Sequence, residues 1–309
     1  VSVKYPPPSH PGHPTLQDWI GIGVLTLLWG SAYAFIKHGV ETLPPAALSF
    51  IRIAIAAVLL TGWAYMRGRK LPALNDKRWL WFIALGLFGN TLPFLLITWG
   101  QQNIDSSLTG ILVAAMPIAT VALAHVFVPE EQMNARRFSG FILGFAGVVV
   151  LIGPDALNGL GGPTFLSQLA VLMAAICYGI NAILARLIPD TTPSVSSAGM
   201  LITASVLSAP MGLWDMTRME GVEMSAWMAV FWLALGPTAI ASVVLMQIAR
   251  SAGPGFLATV NFLTPLAALG TGLLIGETIG WNALLALSII LAALWLARKN
   301  PSKVTGEKR

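Results

Sequence analysis

The sequence predicts an all-α integral membrane protein: ten transmembrane helices forming two inverted five-helix repeats, with the N- and C-termini cytoplasmic. Three observations predict it. Only 10% of the 309 residues are charged and 56% are apolar, whereas a soluble domain carries roughly 25% charged residues. Ten long stretches are free or nearly free of Asp, Glu, Lys and Arg, and about 20 apolar residues suffice to cross the hydrocarbon. The chain also resembles itself at an offset near 149 residues.

The helices are read from those stretches in order. The first runs 19–37, and the second, 45–66, tolerates one interior charge, Arg52. The third, 79–100, follows Lys77 and Arg78, and the fourth, 106–128, follows Asp105. The fifth, 137–153, is rich in glycine and ends at a Gly/Pro-rich stretch. The sixth to tenth run 164–187, 194–214, 225–249, 255–275 and 279–297. Little strand alternation appears, so a closed barrel is disfavoured, and helices satisfy their backbone groups in lipid. Trp19, Trp63, Trp79, Trp81, Trp214, Trp227, Trp281 and Trp295 fall near helix ends and read as an interfacial belt.

Charge orients the bundle. With both termini on one side, that side holds all but three of the 18 Lys and Arg residues. The exceptions are Lys37 and Arg218 on the far side and Arg52 within a helix. The asymmetry places both ends in the cytoplasm. The net charge of +5 is therefore topology and not a nucleic-acid surface. Residues 1–18 form a cytoplasmic tail without the apolar core of a cleavable signal, and 298–309 form a basic cytoplasmic tail. The single cysteine, Cys177, excludes an internal disulfide and a Cys-based zinc site. No residue pattern calls for a metal or cofactor.

The repeat pairs Trp29 with Tyr178, Lys37 with Arg186, Glu41 with Asp190 and Pro44 with Pro193. Pro117 pairs with Pro265, Glu130 with Glu277 and Gly86 with Gly236 at offsets within two residues of the first. The halves are residues 19–153 and 164–297, joined by a linker over 154–163. Five helices per half is an odd number, so the second half enters the membrane from the opposite side. Inverted repeats are an architecture of secondary transporters, with the site between them near the midplane.

Several motifs also resemble a known family. Leu27-Leu28-Trp29-Gly30-Ser31, Phe35-Ile36-Lys37, Pro44-Pro45 and Phe50-Ile51-Arg52 are similar to the opening of the EamA domain of the drug/metabolite transporter superfamily. Ser106-Ser107-Leu108 through Met116-Pro117, Glu130-Glu131 and Gly140 to Gly147 resemble its fourth and fifth helices. Gly253-Pro254-Gly255, Leu263-Thr264-Pro265 and Gly276-Glu277 resemble a second copy. The chain departs from the pattern at Val128-Pro129, where a glycine usually precedes the Glu, and at Leu201, which stands where Arg52 would map. The resemblance implies a ten-helix metabolite exporter of a bacterial inner membrane. Within the family the chain is most similar to YddG-type exporters of aromatic and other neutral amino acids.

Candidate mechanistic residues follow from position. Pro117 and Pro265 lie near mid-helix, where proline removes a donor and frees a carbonyl, so both are candidate hinges or static kinks. Trp29 and Tyr178 are placed either to stack on an apolar solute or to pack helices. Trp99 reads as belt or cavity rim. Asn90, Asn181, Gln247 and Asn261 are neutral groups able to read a solute or bond between helices. Arg52 must be paired or wetted. Glu41, Asp105 and backbone carbonyls are its candidate partners, and the resemblance assigns it to the general signature of the family. His125 near the end of the fourth helix is a candidate proton site or a snorkelling side chain. Gly140, Gly144 and Gly147 offer a small-residue face for packing within the chain or for a homodimer.

A phosphorylated solute would need several basic donors; the interior has one. A neutral or zwitterionic, partly apolar solute fits better. The rivals are a carrier of another metabolite or a drug-like cation, a channel, an intramembrane enzyme, and a structural membrane protein without a solute. The enzyme lacks paired acid–base groups at depth, and the channel lacks a polar lining.

Overall fold

The computed structural model describes residues 14–127, 135–152, 162–188, 191–252, 256–257 and 259–297. The Glu130-Glu131 motif, most of the linker, Asp190, Gly253-Pro254-Gly255 and the basic C-terminal tail lie outside the described residues. Every described element is helical. Among the described residues, seven helices are long and apolar enough to cross a membrane, and three shorter apolar ones run Phe138–Leu151, Val260–Leu274 and Trp281–Leu296.

Helix α1 spans Leu16–Gly39. It begins three residues before the expected start because Thr15 and Asp18 form a reciprocal capping box that closes the first turn. Helix α2 spans Pro45–Met66, with Pro45 in the first turn, where its missing N–H costs nothing. The third stretch is not one regular helix. It is α3 (Arg78–Gly86), a π-helical turn (Leu87–Thr91) and α4 (Leu92–Gly100). The fourth is broken at Ala114-Ala115 into α5 (Ser106–Val113) and α6 (Met116–Phe127). Then come α7 (Ala135–Ile152), α8 (Pro163–Leu187) and α9 (Pro193–Met216). The eighth stretch has α10 (Met224–Leu233), a second π-helical segment (Ala234–Ile240) and α11 (Ala241–Ser251). Helices α12 (Val260–Leu274) and α13 (Trp281–Ala297) complete the described chain.

Packing is dominated by contacts between the front and rear of the chain. Helix α2 lies along α9, α7 along α13, and α1 along α12, while α4 and α6 pack on α8 and α5 on α12. Lipid tails give helices no hydrophobic reason to associate, so close backbone approach matters. Helix α12 is wedged at Ala267-Ala268 between two glycines. A Cβ on Gly30 or on Gly110 would come within 2.4 Å of an alanine Cβ there. The α7 glycines serve the same purpose. A Cβ on Gly144 would strike Ile118 at 2.1 Å, and one on Gly147 would strike Ile290 at 2.8 Å. Their faces are thus covered within the chain, and Gly140 is buried as well. Outward, Trp19, Trp214, Trp281 and Trp295 are exposed at helix ends, as interfacial aromatics require.

Candidate functional site

The site begins with a proline. Pro237 has no N–H to give the carbonyl of Leu233, four residues back. The hydroxyl of Thr238 donates to that carbonyl at 2.8 Å. The chain widens there into the second π-helical segment, a distortion that often marks functional sites. With its proton committed, the Thr238 oxygen accepts from Arg52 Nε at 2.8 Å. The Pro237 carbonyl accepts from Trp29 Nε1 at 3.1 Å. Both donors come from the front of the chain, on α2 and α1.

Arg52 is 5% exposed. Its guanidinium carbon lies 4.0 Å from the centroid of Phe94, so the ring face shares the cation's charge. Tyr33 and Tyr178 lie within its electrostatic reach. Tyr178 joins two cores, one built on Ile53, Phe94 and Leu201 and one on Tyr33, Ile97 and Leu233. Five elements therefore meet at Arg52: α1, α2, α4, α8 and the second π segment. Neither carboxylate expected as its partner is there. Glu41 bonds His38 at 3.0 Å instead, and Asp105 precedes α5 as its cap residue. Both sit in the loops that precede α2 and α5, whereas Arg52 is two turns into α2.

The first π turn has a different neighbour. A Cβ on Gly89 would stand 2.7 Å from Asn181 Oδ1, so this glycine lets the Asn181 amide of α8 lie close against the turn. Asn90 is buried, and its Nδ2 and the Asn181 Oδ1 have no hydrogen-bond partner. Unpaired buried amides are rare and ask for a reason. Thr91 donates to Ala204 O at 3.2 Å and Thr203 to Phe82 O at 2.7 Å, tying this turn to α9.

The other candidates scatter. Trp99 is 41% exposed near the end of α4, and Gln247 is exposed on α11. Asn261 is half-buried in the first turn of α12. His125 is exposed. Pro117 follows the break at Ala114-Ala115, one residue into α6, whereas Pro265 is buried inside an uninterrupted α12. The paired prolines therefore sit in unlike backbones. Sequence reasoning missed Pro237, Thr238, Tyr33 and Phe94. The signal for Pro237 was available, as a proline well inside an apolar stretch; Thr238 is 186 residues from Arg52 and had none.

One rim of the bundle carries a carboxylate latch. Glu277 accepts from Ser106 N at 2.7 Å, Ser107 N at 2.9 Å and Ser107 Oγ at 2.5 Å. Gly272 leaves room for it, since a Cβ there would overlap Ser107 Oγ. Partial burial pushes the Glu277 carboxyl up, but the four serine contributions outweigh it and hold the group below the usual range. Asp215 caps α2 on Ala46 N at 3.0 Å, and Lys37 donates to the Gln101 and Ile104 carbonyls at 3.0 Å each.

The chain matches the EamA-like transporter family over residues 16–153 and again over 165–298. It belongs to that family, within the drug/metabolite transporter superfamily, and is a transporter by family. It is 28% identical over 276 residues to the "Uncharacterized inner membrane transporter YedA" of Escherichia coli K12, covering 88% of this chain and 87% of that protein. It is 26% identical over 269 residues to the "Uncharacterized transporter YdfC" of Bacillus subtilis, covering 85% of each. A crystal structure 22% identical in sequence shares the fold, with a TM-score of 0.61 over 92% of this chain and 98% of its own. The family and these names point to a transporter rather than an enzyme, and the protein is a multi-pass inner-membrane protein.

Proposed function

We propose that the protein is a secondary carrier, an exporter of small neutral or zwitterionic metabolites with aromatic and other apolar amino acids foremost, as in YddG-type exporters. It works by alternating access between two inverted repeats, 19–153 and 164–297, with ten spans and both termini cytoplasmic. The observation that carries this reading is the pair of π-helical turns. They lie at matching places in the two halves, and each is approached by the first helix of the opposite half: α1 through Trp29, α8 through Asn181. Irregular backbone at membrane depth is tolerated where it lines a cavity or is buried in protein, and interrupted helices in corresponding positions point to a binding site.

The aromatic groups Trp29, Tyr33, Phe94 and Tyr178 supply an apolar wall, and Asn90 and Asn181 supply unpaired amides. A drug-like cation is the rival solute, and the Arg52 charge at the centre opposes it. Counterflow in proteoliposomes tests the reading. Vesicles preloaded with aromatic, aliphatic or polar amino acids, polyamines or a sugar phosphate are offered labelled solute of the same kind. Saturable acceleration by neutral amino acids is expected; acceleration only by a phosphorylated or cationic solute would overturn the substrate class.

A further inference from the structure

Arg52 is a buried cation whose ends are unequally used. Its Nε is fixed to Thr238 and its plane to the Phe94 ring. Its two terminal nitrogens donate to no described residue, and they are not among the polar atoms sealed away without a partner. A guanidinium held by Nε presents the remaining N–H fork edge-on, the geometry that takes a carboxylate through two parallel bonds.

Charge balance sharpens the point. A charge at membrane depth is paired or wetted. Among the described residues no carboxylate lies within ion-pair distance of Arg52. The described acids have other work. Asp18 bonds Thr15 and Ser251, Glu41 bonds His38, and Asp76 bonds Arg78. Asp215 caps α2, Glu277 caps α5, and Glu223 bonds Ser225. Asp105 and Glu220 are in loops. The fork is therefore preorganised, cationic and without an anion among the described residues, at the convergence of five elements from both halves.

We propose that the terminal nitrogens of Arg52 bind the carboxylate of the transported solute, so that the carrier selects small monocarboxylates, with Thr238 and Phe94 positioning the fork. This rests on the carrier reading above and goes beyond it by assigning the anion-binding residue. It also couples occupancy to the interface between halves, because Thr238 belongs to the rear half and Arg52 to the front.

The test uses full-length protein with three matched probes: phenylalanine, phenylalaninamide and phenethylamine. Counterflow and thermal-shift titration are run on wild type, Arg52→Lys and Arg52→Gln, in chloride and in gluconate. Wild type is expected to take phenylalanine and to reject the two probes without a carboxylate. Arg52→Lys keeps the charge and loses the fork. It is expected to raise the phenylalanine KM by roughly 10- to 100-fold, the loss of one or two charge-assisted bonds, while remaining monodisperse. Arg52→Gln is expected to lose more. Equal handling of all three probes by wild type overturns the proposal, and this arm needs no variant to fold. An unchanged KM in Arg52→Lys with a lowered melting temperature overturns it in favour of a scaffolding role. Stabilisation by chloride alone that vanishes in both variants overturns it in favour of an inorganic ion. If wild type moves another solute class and no carboxylate, the proposal fails and the carrier reading stands. If no solute shows counterflow, the carrier reading itself fails.

Discussion

The two π-helical turns occupy matching places in the chain and are held by different chemistry. The second, Ala234–Ile240, is held by side chains from the opposite half: Arg52 on the Thr238 hydroxyl and Trp29 on the Pro237 carbonyl. The first, Leu87–Thr91, is held by tight packing against Asn181 and by threonine bonds to α9. The residue that maps onto Arg52 is Leu201, which is fully buried in an apolar core. Repetition thus supplied a common backbone device, and the charge was placed on one side of it only. On the proposed carrier reading, a solute at such a centre would meet one anion receptor and not two, and the two access states would not be energetic mirror images.

Five substitutions, at three kinds of contact, would break or sharpen this comparison. The largest effect is expected at Thr238. Thr238→Val leaves the Arg52 Nε without its partner and removes the hydroxyl bond to the Leu233 carbonyl. A buried orphan costs about 1–3 kcal/mol, more when it is charged, so a loss of about 3 kcal/mol is expected by thermal unfolding in detergent. Thr91→Val, at the other turn, removes one bond to a helical carbonyl and is expected to cost about 1 kcal/mol. Equal losses would mean that the charge does not distinguish the turns.

Next come the glycines. Gly89→Ala puts a methyl 2.7 Å from Asn181 Oδ1, whereas at Gly236 the nearest neighbour, a flexible Leu28 methyl, is 3.2 Å away. Overpacking of this kind costs about 1–3 kcal/mol. Gly89→Ala is expected to lower the melting temperature clearly and Gly236→Ala only slightly; the reverse order would show that packing does not hold the first turn.

The smallest effect is expected at the rim. Glu277→Gln keeps the shape and weakens the carboxylate's hold on the α5 N-terminus, at a cost of about 1 kcal/mol. The Glu277 carboxyl is held below its ordinary range, so its contribution is present above the unfolded value and is lost as pH falls through the lower folded value. Melting temperatures followed from neutral to acid pH should therefore fall more steeply for wild type than for Glu277→Gln. Parallel curves would remove Glu277 from the list of latches.

Much of the architecture was legible because the bilayer is a severe solvent. The apolar stretches mark the helices, and the break beside Pro117 appears within three residues of the proline that predicts it. Pro265 shows where that logic stops. The same residue type lies inside a continuous helix, because a proline frees a carbonyl but neighbouring packing decides whether the helix opens. Gly144 and Gly147 were legible as a packing face, but not as one covered by Ile118 and α13.

The sequence by itself determined that this chain lives in a membrane and that Arg52 is the one cation within an apolar stretch. Composition and spacing decide these points because water and hydrocarbon sort side chains one at a time. Only the tertiary structure decided what Arg52 touches. Its partner Thr238 is remote in the chain, and its oxygen turns a lone pair to Arg52 while its proton goes to the Leu233 carbonyl beside Pro237. A local rule can name a proline's missing bond. Which group fills the gap, and which cation then leans on that group, depends on helices brought together from both ends of the chain.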